Sequence, residues 1–131
     1  MGALRTQYHF RPSPQGLRTW DVHRLIALSG DLVREKIPLT DIRELDEGYW
    51  GSESRKMTCR EIVGHARLML DCDIDFPIIL SSDGHVMDGM HRICKALLEG
   101  RTEIEAVRFV QDPEPDYIGV HPDELPYPIP G

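Results

Sequence analysis

The chain has 131 residues, 40% hydrophobic and 28% charged, which suits one globular domain able to bury a core without disulfide or metal staples. Fifteen Lys and Arg stand against 22 Asp and Glu, a net charge of −7 that argues against general attraction to nucleic acid or anionic membranes. The longest apolar runs are far too short for a membrane-spanning helix, and Met1–Phe10 lacks the apolar core of a secretory signal, so a cytoplasmic protein with free thiols at Cys59, Cys72 and Cys94 is expected.

Residues 1–35 read as an N-terminal arm followed by a short helix. Pro12, Pro14 and Gly16 make the first 20 residues irregular. Met1–Thr6 fits the short, permissive myristoylation pattern. Asp21 is placed to cap a helix carrying Val22, Leu25, Ile26 and Leu28, with Gly30 as its stop. Trp20, just before that cap, reads as a packing residue.

Residues 36–110 carry the elements of an α+β core. Ile37–Ile42 reads as a strand, and residues 46–57, without periodicity, as a long loop holding Tyr49 and Trp50 between glycines. The run Thr58-Cys59-Arg60-Glu61 is a capping box, in which a hydroxyl serves the N3 amide and a carboxylate serves the N-cap amide. Ile62, Ala66, Met69 and Leu70 follow at helical spacing. Phe76–Leu80 suits a buried strand, Asp83-Gly84 a hairpin turn, and His85–Met87 the return strand. A helix from Met90 to Glu99 with Met90, Ile93, Cys94, Leu97 and Leu98 on its apolar face ends at Gly100. Thr102–Val110 alternates as a last strand, burying Ile104, Ala106 and Phe109.

Residues 111–131 hold five acids, no Lys or Arg and six of the ten prolines. Such a segment forms neither a helix nor a central strand. It reads as an extended tail, either wrapping the domain or mobile, with Tyr117, Ile118, Val120 and Tyr127 as apolar handles for wrapping.

The segment Asp88-Gly89-Met90-His91-Arg92 bears most on function. A glycine stands where a strand becomes a helix, and the first amides of that helix have no partner within it. With the positive end of the helix dipole they form an anion cradle for phosphate or carboxylate, to which His91 and Arg92 add donors. The alternative is that Arg92 pairs with a nearby carboxylate and His91 is an interior histidine. Asp88 is equally suited to capping the helix and to catalysis. Glu61 suits its capping box better than catalysis, and the loop acids Glu44, Asp46 and Glu47, the other candidate carboxylates beside Asp88, read as solvated. No Cys-x-x-Cys or His-Glu-x-x-His motif signals a dedicated transition-metal site.

The Ile37–Ile42 segment, the capped helix, Phe76–Leu80, the Asp-Gly-x-His-Arg turn and the helix and strand after it resemble the ParB N-terminal/sulfiredoxin superfamily over residues 36–110. The resemblance implies a small mixed sheet with flanking helices and a nucleotide pocket, with ATP, ADP or CTP held with Mg²⁺. Gly89, Met90, His91 and Arg92 would form the phosphate site, with Arg43 and Arg60 (or Lys56) as further basic residues. Asp88 and His91 would be the catalytic pair of a phosphotransferase or nucleotide hydrolase acting on a small molecule. Sulfiredoxins carry their catalytic Cys directly before the His-Arg pair; this chain has Met90, a thioether that cannot be that nucleophile. Members that clamp DNA carry further domains after this fold, where this chain has an acidic tail, so DNA is disfavoured as a partner. Two other readings stand beside the enzyme: a non-catalytic ligand-binding or regulatory module whose proline-rich tail contacts a partner, and a ParB-like DNA-associated protein or nuclease; a homodimer is the other partner arrangement open to the chain.

Overall fold

The computed structural model describes residues 7–51 and 54–126. The Met1–Thr6 pattern, Ser52, Glu53 and the last five residues, Tyr127 among them, lie outside the described residues.

The elements run β1 (Tyr8–Arg11), β2 (Arg18–Asp21), α1 (Val22–Leu28), β3 (Glu35–Pro38), α2 (Cys59–Asp71), β4 (Ile78–Leu80), β5 (Val86–Asp88), α3 (Met90–Leu98), β6 (Glu103–Arg108) and β7 (Tyr117–Ile118). Short 3-10 turns follow β3 at Leu39–Asp41 and Arg43–Asp46. The architecture is α+β, as the mixture of signals predicts. Four strands form a mixed sheet in the order β3-β6-β4-β5, with β6 parallel to β4 and antiparallel to β3. A second sheet, β1-β2-β7, is antiparallel.

Alternation along the central strands sends side chains to two cores. Ile78 and Leu80 of β4 and Ile104 and Ala106 of β6 meet Met90, Ile93 and Ala96 of α3 on one face. Ile79, Met87, Val107 and Phe109 meet Trp20 and Leu25 on the other. Residues 8–28 therefore close the second face of the sheet. Residues 8–20 are not an irregular arm: Ser13 and Gly16 exchange backbone hydrogen bonds at a tight turn, which lets β1 pair with β2 despite two prolines. Both prolines fall in that turn, where no ladder amide is needed.

Three other sequence expectations shift. The Ile37–Ile42 strand begins earlier, at Glu35, and stops at Pro38, after which the chain enters 3-10 turns that still bury Leu39 and Ile42. Helix α2 forms with its capping box complete, yet buries no residue: Ile62 and Leu70 are 50% and 67% exposed, and the half-buried positions include Glu61, His65 and Met69. On α3 the buried stripe is Met90, Ile93 and Ala96, whereas Leu97 and Leu98 face outward.

The tail wraps the domain as far as it is described. β7 pairs with β2, the Trp20 indole donates to the Pro113 carbonyl at 2.8 Å, and the Asp116 carboxylate accepts from the Asp21 amide and from Arg24. Leu125 is buried and Tyr8 donates its hydroxyl to the Pro126 carbonyl. Among the described residues no helix is long and apolar enough to cross a membrane.

Candidate functional site

β5 delivers the chain to Asp88, and Gly89 turns it into α3. Gly89 is the N-cap with φ +109°, a left-handed conformation that costs a side-chain-bearing residue energy. A Cβ there would also meet Ile78 Cγ2 at 2.7 Å and Arg92 Nη2 at 2.9 Å. No side chain caps α3, so Asp88 does not serve as its cap. Asp88 instead forms an ion pair with Arg92 at 3.0 Å, and the same guanidinium nitrogen donates to the Pro77 carbonyl. Arg92 is thus folded against the strand side of the turn, and its buried Nε has no partner.

The start of α3 forms the floor of a cleft of about 550 Å³, where Asp88, Gly89, Met90 and His91 lie between Tyr8–Phe10 and the Tyr49-Trp50 loop. A second cleft of about 620 Å³ opens beyond that loop, lined mainly by apolar surface from Leu45, Tyr49, Trp50, Met57 and Met90, with Glu44 and Lys56. Tyr49, Trp50 and Met90 belong to both.

The loop is fastened by a ring stack. Trp50 lies 4.3 Å from the His65 ring and 4.7 Å from the His91 ring, and His65 Nδ1 is 2.8 Å from His91 Nε2. One of these two nitrogens donates and the other accepts, so the pair shares a proton. Burial, followed by the His65 charge, pushes the His91 pKa down, while Asp88 opposes the shift. His9, on the opposite wall with its ring tilted 40° against that of Trp20 at 5.6 Å, is pushed down to about 4, by burial first and then by Arg11. Tyr49 is pushed up to about 12, by burial and then by the negative charges of Glu44 and Asp88. Both histidines at the first cleft are therefore held towards the neutral form near pH 7.

The predicted residues separate. Asp88, Gly89, Met90 and His91 come together at the first cleft. Arg92 lies behind them, tied to Asp88. Arg43 is exposed beside the hairpin turn, with Nη2 at 3.0 Å from His85 Nε2, and borders a different hollow with Asp83 and Arg108. Arg60 is exposed at the start of α2 and lines neither cleft. Lys56 does line the second cleft.

Sequence reasoning counted Glu44 among the candidate carboxylates but read it as solvated, and it assigned no role to His65 or His9. Glu44 is not solvated but 5% exposed, with Oε2 accepting from the Val86 amide at 2.8 Å. Its signal was position, between the core residues Ile42 and Leu45. His65 has one as well, four residues from both Glu61 and Met69 on the inner face of α2. His9 had none, because its strand was not foreseen. Among the described residues no group of three or more His, Cys, Asp or Glu is arranged to hold a metal ion.

No family model, curated protein or solved structure matches this chain.

Proposed function

We propose that this chain binds a small phosphate-bearing ligand, a nucleotide foremost, across the two clefts that meet at Met90. The observation that carries this reading is the floor of the first cleft: an uncapped helix start, turned by Gly89, beside His91. Unpaired amides and the helix dipole favour an anion there. The second cleft supplies flat apolar walls for a base and Lys56 for a phosphate charge. Neither Arg nor Lys lines the first cleft, so a triphosphate would need compensation by Lys56 and by Mg²⁺ carried with it. Asp88, the only carboxylate among that cleft's lining residues, would hold the ion, although its pairing with Arg92 leaves most of the coordination to phosphates and water.

In the phosphotransferase or hydrolase form of this reading, the α3 amides position the phosphate and Asp88 orients the acceptor or attacking water. His91, held neutral, accepts a proton and shares it with His65. One observation favours the second reading, a non-catalytic binding module: Asp88 and Arg92 neutralise each other. A ParB-like association with DNA has only the resemblance in its favour.

Calorimetric titration with ATP, ADP, CTP and GTP, with and without Mg²⁺, tests binding, and Asp88→Asn separates the two forms. Saturable binding with turnover that Asp88→Asn abolishes supports the enzyme. Binding without turnover supports the module. Absence of binding by every nucleotide overturns the proposal.

A further inference from the structure

Among the described residues Glu44 is the one buried acid, and half of its carboxylate is unaccounted for. Oε2 accepts from the Val86 amide, while Oε1 is shielded from solvent with no hydrogen-bond partner. His85 Nδ1 is 3.5 Å from Oε2, but Arg43 donates to the same imidazole. An acceptor withdrawn from water and left unpaired is costly, and such atoms in native proteins call for an explanation. Glu44 lines the second cleft, whose other walls are mainly apolar: Trp50, Tyr49, Met57 and Met90.

We infer that the second cleft selects a flat ring carrying an amino group, with Glu44 Oε1 accepting a hydrogen bond from that group. The inference rests on the nucleotide reading for the ligand class and adds the selection of the base. An amino-bearing ring, as in adenine or cytosine, satisfies the orphan oxygen. The oxo analogues hypoxanthine and uracil set a carbonyl against a carboxylate, which leaves two acceptors facing each other. Glu44→Gln sharpens the contrast. The amide oxygen can still accept from Val86, so the turn keeps its bond, and the amide nitrogen then presents a donor where the carboxylate presented an acceptor.

The experiment is calorimetric titration of the full chain with two matched sets: ATP against ITP and CTP against UTP, and the phosphate-free nucleosides adenosine against inosine and cytidine against uridine. The wild type is expected to bind the amino member of at least one pair about tenfold or more tightly than its oxo partner. Glu44→Gln is expected to erase or reverse that preference, with thermal melting confirming that it remains folded. Equal binding of amino and oxo partners, or a preference unchanged in a folded Glu44→Gln protein, overturns the inference even if nucleotides bind. An amino preference among nucleosides, without tighter binding of nucleotides, supports the selection by Glu44 and counts against the phosphate cradle. Absence of binding in both sets overturns both.

Discussion

His65 Nδ1 and His91 Nε2 face each other at 2.8 Å under the ring of Trp50, which joins α2, α3 and the long loop at one point. Their hydrogen bond requires one nitrogen to carry a proton and the other not to. Removing His65 takes away one of the influences that depress His91, burial being the larger. In His65→Ala the His91 ring is expected to titrate closer to 6.5 than in the wild type, which ring-nitrogen NMR across pH 4–8 would measure. An unchanged His91 titration would mean that the pair is not coupled.

His9 sets a pH dependence of stability. Its folded pKa, about 4, lies below the ordinary 6.5, so the unfolded chain binds the proton more readily. The neutral imidazole is accommodated in full above pH 6.5, and stability falls as pH drops from 6.5 towards 4. The loss from this one group reaches about 2 kcal/mol by pH 5. His91, also depressed, acts in the same direction. Urea melts at pH 7 and pH 5 should show the fall, and His9→Phe should flatten it.

Two glycines with positive φ should respond differently to alanine. Gly100, with φ +75° and open space around its Cβ position, carries only the backbone cost, about 1 kcal/mol. Gly89 carries that cost and the collision with Ile78 and Arg92, so Gly89→Ala should cost about 3 kcal/mol or more. Chemical denaturation of the two variants side by side provides the comparison.

Helix α2 should open locally before the domain unfolds, because it buries no residue. Thr58 accepts from the Glu61 amide while Glu61 accepts from the Thr58 amide, and Thr58→Ala breaks the box at a cost of about 1 kcal/mol. Hydrogen exchange should quicken through Cys59–Asp71 in that variant, with α3 and the central sheet little changed. Uniform quickening across the domain would show that α2 belongs to the global unit.

Leu25 tests the role of the N-terminal residues as the cover of the sheet's second face. It is fully buried in the core with Trp20, Ile79 and Met87, so Leu25→Ala should cost about 3 kcal/mol of global stability. A change below about 1 kcal/mol would mark residues 8–28 as an appendage.

Local chemistry determined much of this protein from the sequence alone. The Asp21 cap, the Thr58–Glu61 box, the Asp83-Gly84 turn, the Gly89 strand-to-helix junction and the Gly100 stop depend on neighbours within a few residues, and each stands where the pattern puts it. The segment Asp88–Arg92 was legible as a group for the same reason. Tertiary structure decided what each of its charges does. Arg92 turned inward to Asp88 and Pro77, where the absence of a Gly89 side chain leaves room for its guanidinium beside Ile78. Strand pairing over more than 90 residues of sequence, β2 with β7, settled that the proline-rich tail docks, and no local pattern encodes a partner that distant. Burial decided the rest: Glu44 looks like any loop acid until folding places its carboxylate against the Val86 amide, and His65 becomes a partner of His91 only when α2 lies on α3.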